Sequence, residues 1–106
     1  MLLLSIPLLL APAFGASTIA DAKTIDIVIE HFAFVPASIE VDAGDTVVFT
    51  NRDIVPHTAT ATDGSWTTMD IAGGKSGAVV VPAKGDGAYI CKYHPVMKGH
   101  LIIRSP

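Results

Sequence analysis

The chain has 106 residues, ten acidic and seven basic side chains, a net charge of −3, four histidines and one cysteine. That length argues for a single domain, with no room for a second independent core. The charge is too mild to imply nucleic acid or an anionic membrane as a partner, and the lone cysteine excludes an internal disulfide.

Leu2, Leu3, Leu4, Ile6, Leu8, Leu9 and Leu10 open the chain as a compact apolar run interrupted by Pro7. Small residues follow at Ala13-Phe14-Gly15 and Ala20-Asp21-Ala22. This is the pattern of an export signal over residues 1–22, although no Lys or Arg precedes the run. The alternative is an uncleaved anchor, since residues 1–20 carry no charge and approach spanning length. Residues 23–106 are then the folded domain, in a periplasmic or otherwise exported setting. A membrane is a partner only if the N-terminal segment is retained. An exported chain with one thiol needs a use for it other than a disulfide.

Beyond the signal come short runs cut by turn residues. Thr24–Glu30 alternates with Ile25, Ile27 and Ile29 on one side, the period of a half-buried strand. His31–Phe34 adds aromatics, Pro36-Ala37-Ser38 turns the chain, and Ser38–Val41 is a short run before the turn residues 42–45. Thr46–Asn51 is rich in β-branched residues and predicts a central strand. His57–Thr62 reads as a strand with threonines alternating against alanines. Residues 63–75 read as loop with a short strand around Trp66–Met69. Ser76–Val81, Ala88–Tyr93 and Gly99–Arg104 complete the set, separated by the Pro82–Gly87 turn. Seven to eight short strands with no helical period predict an all-β, Greek-key β-sandwich. So small a core gains appreciably from a bound metal.

Cys91, His94 and Met97 lie three residues apart, at the end of a predicted strand and in the turn after it. His57 follows Pro56 after another predicted strand, and a sandwich can bring the two loops together at one end. Singly, each residue has a plain use: a buried Cys is a small hydrophobe, a Met fills gaps, and a His sits at the surface. Together they form the donor set of a mononuclear copper site, with two imidazoles and a thiolate in a plane and a weak thioether on the axis. Zinc gains little from a thioether. His31 and His100 stand apart in sequence and read as surface residues.

The same residues carry a family resemblance. Val41–Asp53 with Pro56-His57-Thr58, and Gly87-Ala88-Tyr89 leading to Cys91, His94-Pro95, Met97 and Lys98-Gly99, resemble the two copper-binding blocks of the cupredoxins. The contracted Cys-x-x-His-x-x-Met loop is most similar to amicyanins, with pseudoazurins and plastocyanins more distant. The resemblance implies that His57, Cys91, His94 and Met97 bind one blue-copper ion. It further implies that Asn51 hydrogen-bonds near the cysteine and ties the two ligand loops together, and that Pro95 stiffens the second loop. Lys92 and Lys98 are expected to place positive charge at the same end.

The function expected is single-electron transfer by a monomer that docks redox partner proteins near His94, where Pro95, Val96 and Pro56 offer an apolar surround. A copper-binding or copper-delivery protein without a redox role is the alternative. An enzyme is not expected, because copper oxidases and nitrite reductases need further histidine-rich sites.

Overall fold

The computed structural model describes residues 21–104, so the export-signal or anchor segment falls almost entirely outside the described residues. Among the described residues eight strands are formed: β1 (Thr24–Glu30), β2 (Ala33–Val35), β3 (Ser38–Asp42), β4 (Thr46–Asn51), β5 (Thr60–Ala61), β6 (Ser76–Val80), β7 (Ala88–Ile90) and β8 (Lys98–Arg104). They make two four-stranded sheets, ordered β2-β1-β4-β6 and β3-β8-β7-β5. β1 runs parallel to β4, and β3 parallel to β8; the remaining pairs are antiparallel. Between β2 and β7 every connection crosses from one sheet to the other, as a sandwich with Greek-key connections requires. Among the described residues, no helix is long and apolar enough to cross a membrane.

The alternation in β1 and β4 does what its period predicts: Ile27, Ile29, Val47 and Phe49 are fully buried, while the intervening residues reach the other face. From the second sheet Val41, Tyr89 and Leu101 close the core. Phe34 meets Tyr89 edge-on at 4.7 Å between ring centres, and Phe49 meets Tyr89 at 5.4 Å. Trp66 covers this cluster from a loop, 5.5 Å from Tyr89. Tyr89 fits because its cross-strand partner is Gly99, where any Cβ would land on the tyrosine ring. The Tyr89 hydroxyl is buried with no hydrogen-bond partner among the described residues, and burial pushes its pKa far up.

Two expected strands are corrected. His57–Thr62 pairs as a strand only at Thr60–Ala61, and burial does not alternate ahead of it: Ala59 is fully buried and so is Thr58. Its N–H points at the Cys91 sulfur rather than at a neighbouring strand. Around Trp66–Met69 only a single bridge forms, between Thr60 and Thr67, and Met69 adopts φ 62°, which no strand tolerates. β7 also stops earlier than expected, at Ile90, because Cys91 enters the turn that builds the site.

Candidate metal centre

The loop between β7 and β8 is built from successive tight turns. His94 N–H donates to Cys91 O at 3.2 Å, and Met97 N–H to His94 O at 2.8 Å. Cys91 N–H then closes the loop on Met97 O at 3.1 Å. A three-residue spacing is what such i to i+3 bonds need, so the interval read from the sequence becomes a compact scaffold. Cys91 and Met97 are buried and His94 is half-buried. Pro95 lies inside the loop, exposed, where its fixed φ limits the chain without removing any of these bonds.

His57 arrives from the other side, on the segment between β4 and β5. Its backbone exchanges two hydrogen bonds with Ile71, and its side chain is fully buried. Its Nδ1 lies 3.7 Å from Cys91 Sγ, and His94 Nδ1 lies 3.9 Å from the same sulfur. The three donor atoms all fall within 4.8 Å of one another. Metal bonds of about 2.0 Å to nitrogen and about 2.3 Å to sulfur, opened to about 120°, place N and S about 3.7 Å apart. The spacing therefore fits two imidazoles and a thiolate that would hold one metal ion between them, and Met97 is buried in the same loop.

Asn51 sits at the end of β4, fully buried, but its work differs from that expected. Its Nδ2 donates to Val55 O at 2.8 Å and to Ile71 O at 2.9 Å, and its Oδ1 accepts from Asp53 N–H at 2.9 Å. It braces the His57 segment and does not reach the cysteine loop. The tie between loops is Thr58: its N–H donates to Cys91 Sγ at 3.4 Å, and its Oγ1 accepts from Lys92 N–H at 3.0 Å. A backbone donor aimed at a thiolate withdraws charge from it, one of the ways a protein tunes such a site.

Asp53 and Phe32 were missed in the sequence. Asp53 accepts a hydrogen bond from His57 Nε2 at 2.8 Å, and the Phe32 ring stands edge-on to His57 and His94 at 5.2 and 5.1 Å. Burial raises the Asp53 pKa, but hydrogen bonds from Phe32 N–H, His57 and His31 N–H outweigh it and hold the carboxyl below its ordinary range. The legible signal for Asp53 was its place four residues before His57; Phe32 had none.

The positive charge expected at this end is partly cancelled. Lys92 Nζ pairs with Asp70 at 3.4 Å and lies 5.0 Å from the centre of the Tyr93 ring, while Tyr93 donates its hydroxyl to Asp70 at 2.7 Å. His94 and Tyr93 join Val55 and Pro56 around an open apolar depression of about 210 Å³. Val96 and Ile54 stand almost wholly in solvent, at 89% and 96% exposure. His100 lies away from the site, bonded to Asp86 O.

The cupredoxin-like domain family matches residues 1–103. The chain is 29% identical to amicyanin-alpha of Methylorubrum extorquens over 100 residues, covering 90% of this chain and 84% of that one. It superposes on amicyanin from Paracoccus versutus with a TM-score of 0.66 at 25% identity, over 85% of this chain and 88% of that one. A copper-containing nitrite reductase from Thermus scotoductus gives a TM-score of 0.69 at 25% identity over 78% of this chain. The match spans only 23% of that reductase, so the likeness is to one part of a larger enzyme. With its two-sheet sandwich and its His57, Cys91 and His94 donors gathered at one end, the chain belongs to the cupredoxin-like family.

Proposed function

We propose that the protein is an exported blue-copper electron carrier, with His57, Cys91, His94 and Met97 holding one copper ion. The observation that carries the reading is the convergence of two imidazole Nδ1 atoms on one buried thiol, at 3.7 and 3.9 Å. Copper in such a donor set supplies reversible one-electron exchange between Cu(II) and Cu(I).

The chain's own residues serve that exchange in three ways. A prefolded loop, closed by the Cys91–His94–Met97 backbone bonds, keeps the donors in place in either charge state, so little has to reorganise. The burial of His57, Cys91 and Met97 excludes water from three sides. His94, half-buried beside Val55, Pro56 and Tyr93, is the donor nearest solvent and gives electrons their shortest way out. The surrounding apolar surface suits brief docking of a redox partner protein by a monomer. The similarity of the chain to amicyanins supports the reading. The apolar N-terminal segment supports export to the periplasm or an equivalent compartment.

The test is the visible and EPR spectrum of the purified protein after addition of Cu(II), beside Cys91→Ala. An intense blue band with narrow copper hyperfine splitting, bleached by reductant and lost in the variant, is the expected result. A pale spectrum with ordinary tetragonal copper signals overturns the reading and favours copper delivery.

A further inference from the structure

β1 and β2 are joined by a two-residue hairpin turn, His31-Phe32, with φ 54° and 55°. Such a turn requires positive φ at both positions and ordinarily carries Asn and Gly. For a residue as bulky as Phe the conformation is strained, and it persists only where its surroundings hold it. Here the holder is identifiable. His31 N–H donates to Asp53 Oδ1 at 2.8 Å, and Phe32 N–H donates to Asp53 Oδ2 at 3.0 Å. The same Oδ2 accepts His57 Nε2–H at 2.8 Å. The Asp53 backbone is itself held, its N–H donating to the buried Asn51 Oδ1 at 2.9 Å.

The consequence lies at the tip of the turn. Phe32 is 51% exposed, an odd place for a phenyl ring, yet it stands edge-on over both imidazoles, 5.2 Å from His57 and 5.1 Å from His94. A polar, unstrained Asn-Gly turn would fit the hairpin better and leave the imidazoles open.

We propose that Asp53 is a positioning residue that latches the His31-Phe32 turn to His57, holding the Phe32 ring as a cover over the two imidazoles of the metal site. One carboxylate does two things. It keeps the proton on His57 Nε2, leaving Nδ1 free to face the sulfur, and it fixes the turn that carries the cover. The cover restrains His94, the donor nearest solvent, and slows exchange of the bound ion. The metal part of this inference rests on the proposed copper site; the latch itself is a property of the metal-free protein.

The experiment has two arms, each run on wild type, Asp53→Ala, Asp53→Asn and the double variant His31→Asn/Phe32→Gly. In the metal-free protein, NMR follows the His57 ring tautomer and the hydrogen exchange of the residue 31 and 32 amides. In the Cu(I)-loaded protein, a strong Cu(I) chelator in excess reports the rate of copper release. Asp53→Ala is expected to lose the protected Nε2–H signal, to speed both amides at least tenfold and to speed copper release at least tenfold. Asp53→Asn, with one acceptor oxygen in place of two, should fall between, and it serves if the alanine variant does not fold. The double variant should keep the His57 tautomer and the amide protection but release copper as fast as Asp53→Ala. Wild-type amide exchange in the folded Asp53 variants overturns the latch, and wild-type copper release in the double variant overturns the cover. If wild type shows no blue thiolate band, the copper reading fails and the cover fails with it, while the metal-free arm still decides the latch.

Discussion

Replacing Asn51 by Ala isolates the brace beneath His57. The side chain is fully buried and makes three hydrogen bonds, two to the Val55 and Ile71 carbonyls and one from Asp53 N–H. At about 1 kcal/mol net for each, the loss is about 3 kcal/mol. Ile71 O keeps His57 N–H as a partner, and Val55 and Asp53 are both half-buried, so no large further desolvation cost is added. For a domain of this size, about 3 kcal/mol corresponds to a fall in Tm of about 12–24 °C. Urea unfolding of the metal-free protein at neutral pH measures it without interference from the ion. Asn51→Asp adds a control: a carboxylate still accepts from Asp53 N–H but faces two carbonyls it cannot donate to. Its folded-state pKa should therefore rise, so its destabilisation is present at neutral pH and relieved as the pH falls through that raised value. If Asn51→Ala unfolds within about 0.5 kcal/mol of wild type, far less than three buried bonds supply, the bracing role is wrong.

Four further outcomes are expected. Thr58→Val keeps the N–H to Cys91 Sγ but deletes the hydroxyl that accepts Lys92 N–H; the stranded donor should cost about 1–3 kcal/mol in urea unfolding while the thiolate absorption stays near its wild-type position. Gly73→Ala would drive a methyl against the Asp53 and Ile54 carbonyls, with a cost of about 1–3 kcal/mol by the same assay and a displaced His57 ring signal in the metal-free spectrum. Asp45 is held below the ordinary carboxylate range by hydrogen bonds from the Lys23 and Asp42 amides, so its contribution is present above about pH 4 and lost as the pH falls below that value; Asp45→Asn should be less stable at pH 7 and flatten the acid limb of a stability–pH curve. Removing copper should lower Tm, since an ion present at 1,000 times its Kd contributes about 4 kcal/mol; equal melting with and without the metal would count against the site.

Much of the fold was written locally. In β1 and β4 the side-chain period of two is also the burial period, so the bounds Thr24–Glu30 and Thr46–Asn51 could be read from the residues themselves. The Cys91, His94 and Met97 cluster was legible for the same reason: a tight turn is a local structure, and its spacing is its geometry. What the tertiary structure alone decided depends on segments far apart in the chain. Thr58, not Asn51, ties the ligand loops, because it is Thr58 N–H that the packing of the two sheets aims at Cys91 Sγ, 33 residues away. That inward demand also cut the expected His57–Thr62 strand down to two residues, overriding the alternation of its threonines. Asp53 and Phe32 belong to the site only because the β1–β2 turn, 21 and 22 residues from Asp53, folds back over the imidazoles. A sequence displays the donors a metal needs, since their chemistry resides in the side chains; which groups hold those donors still is settled by distances that only the packed sandwich creates.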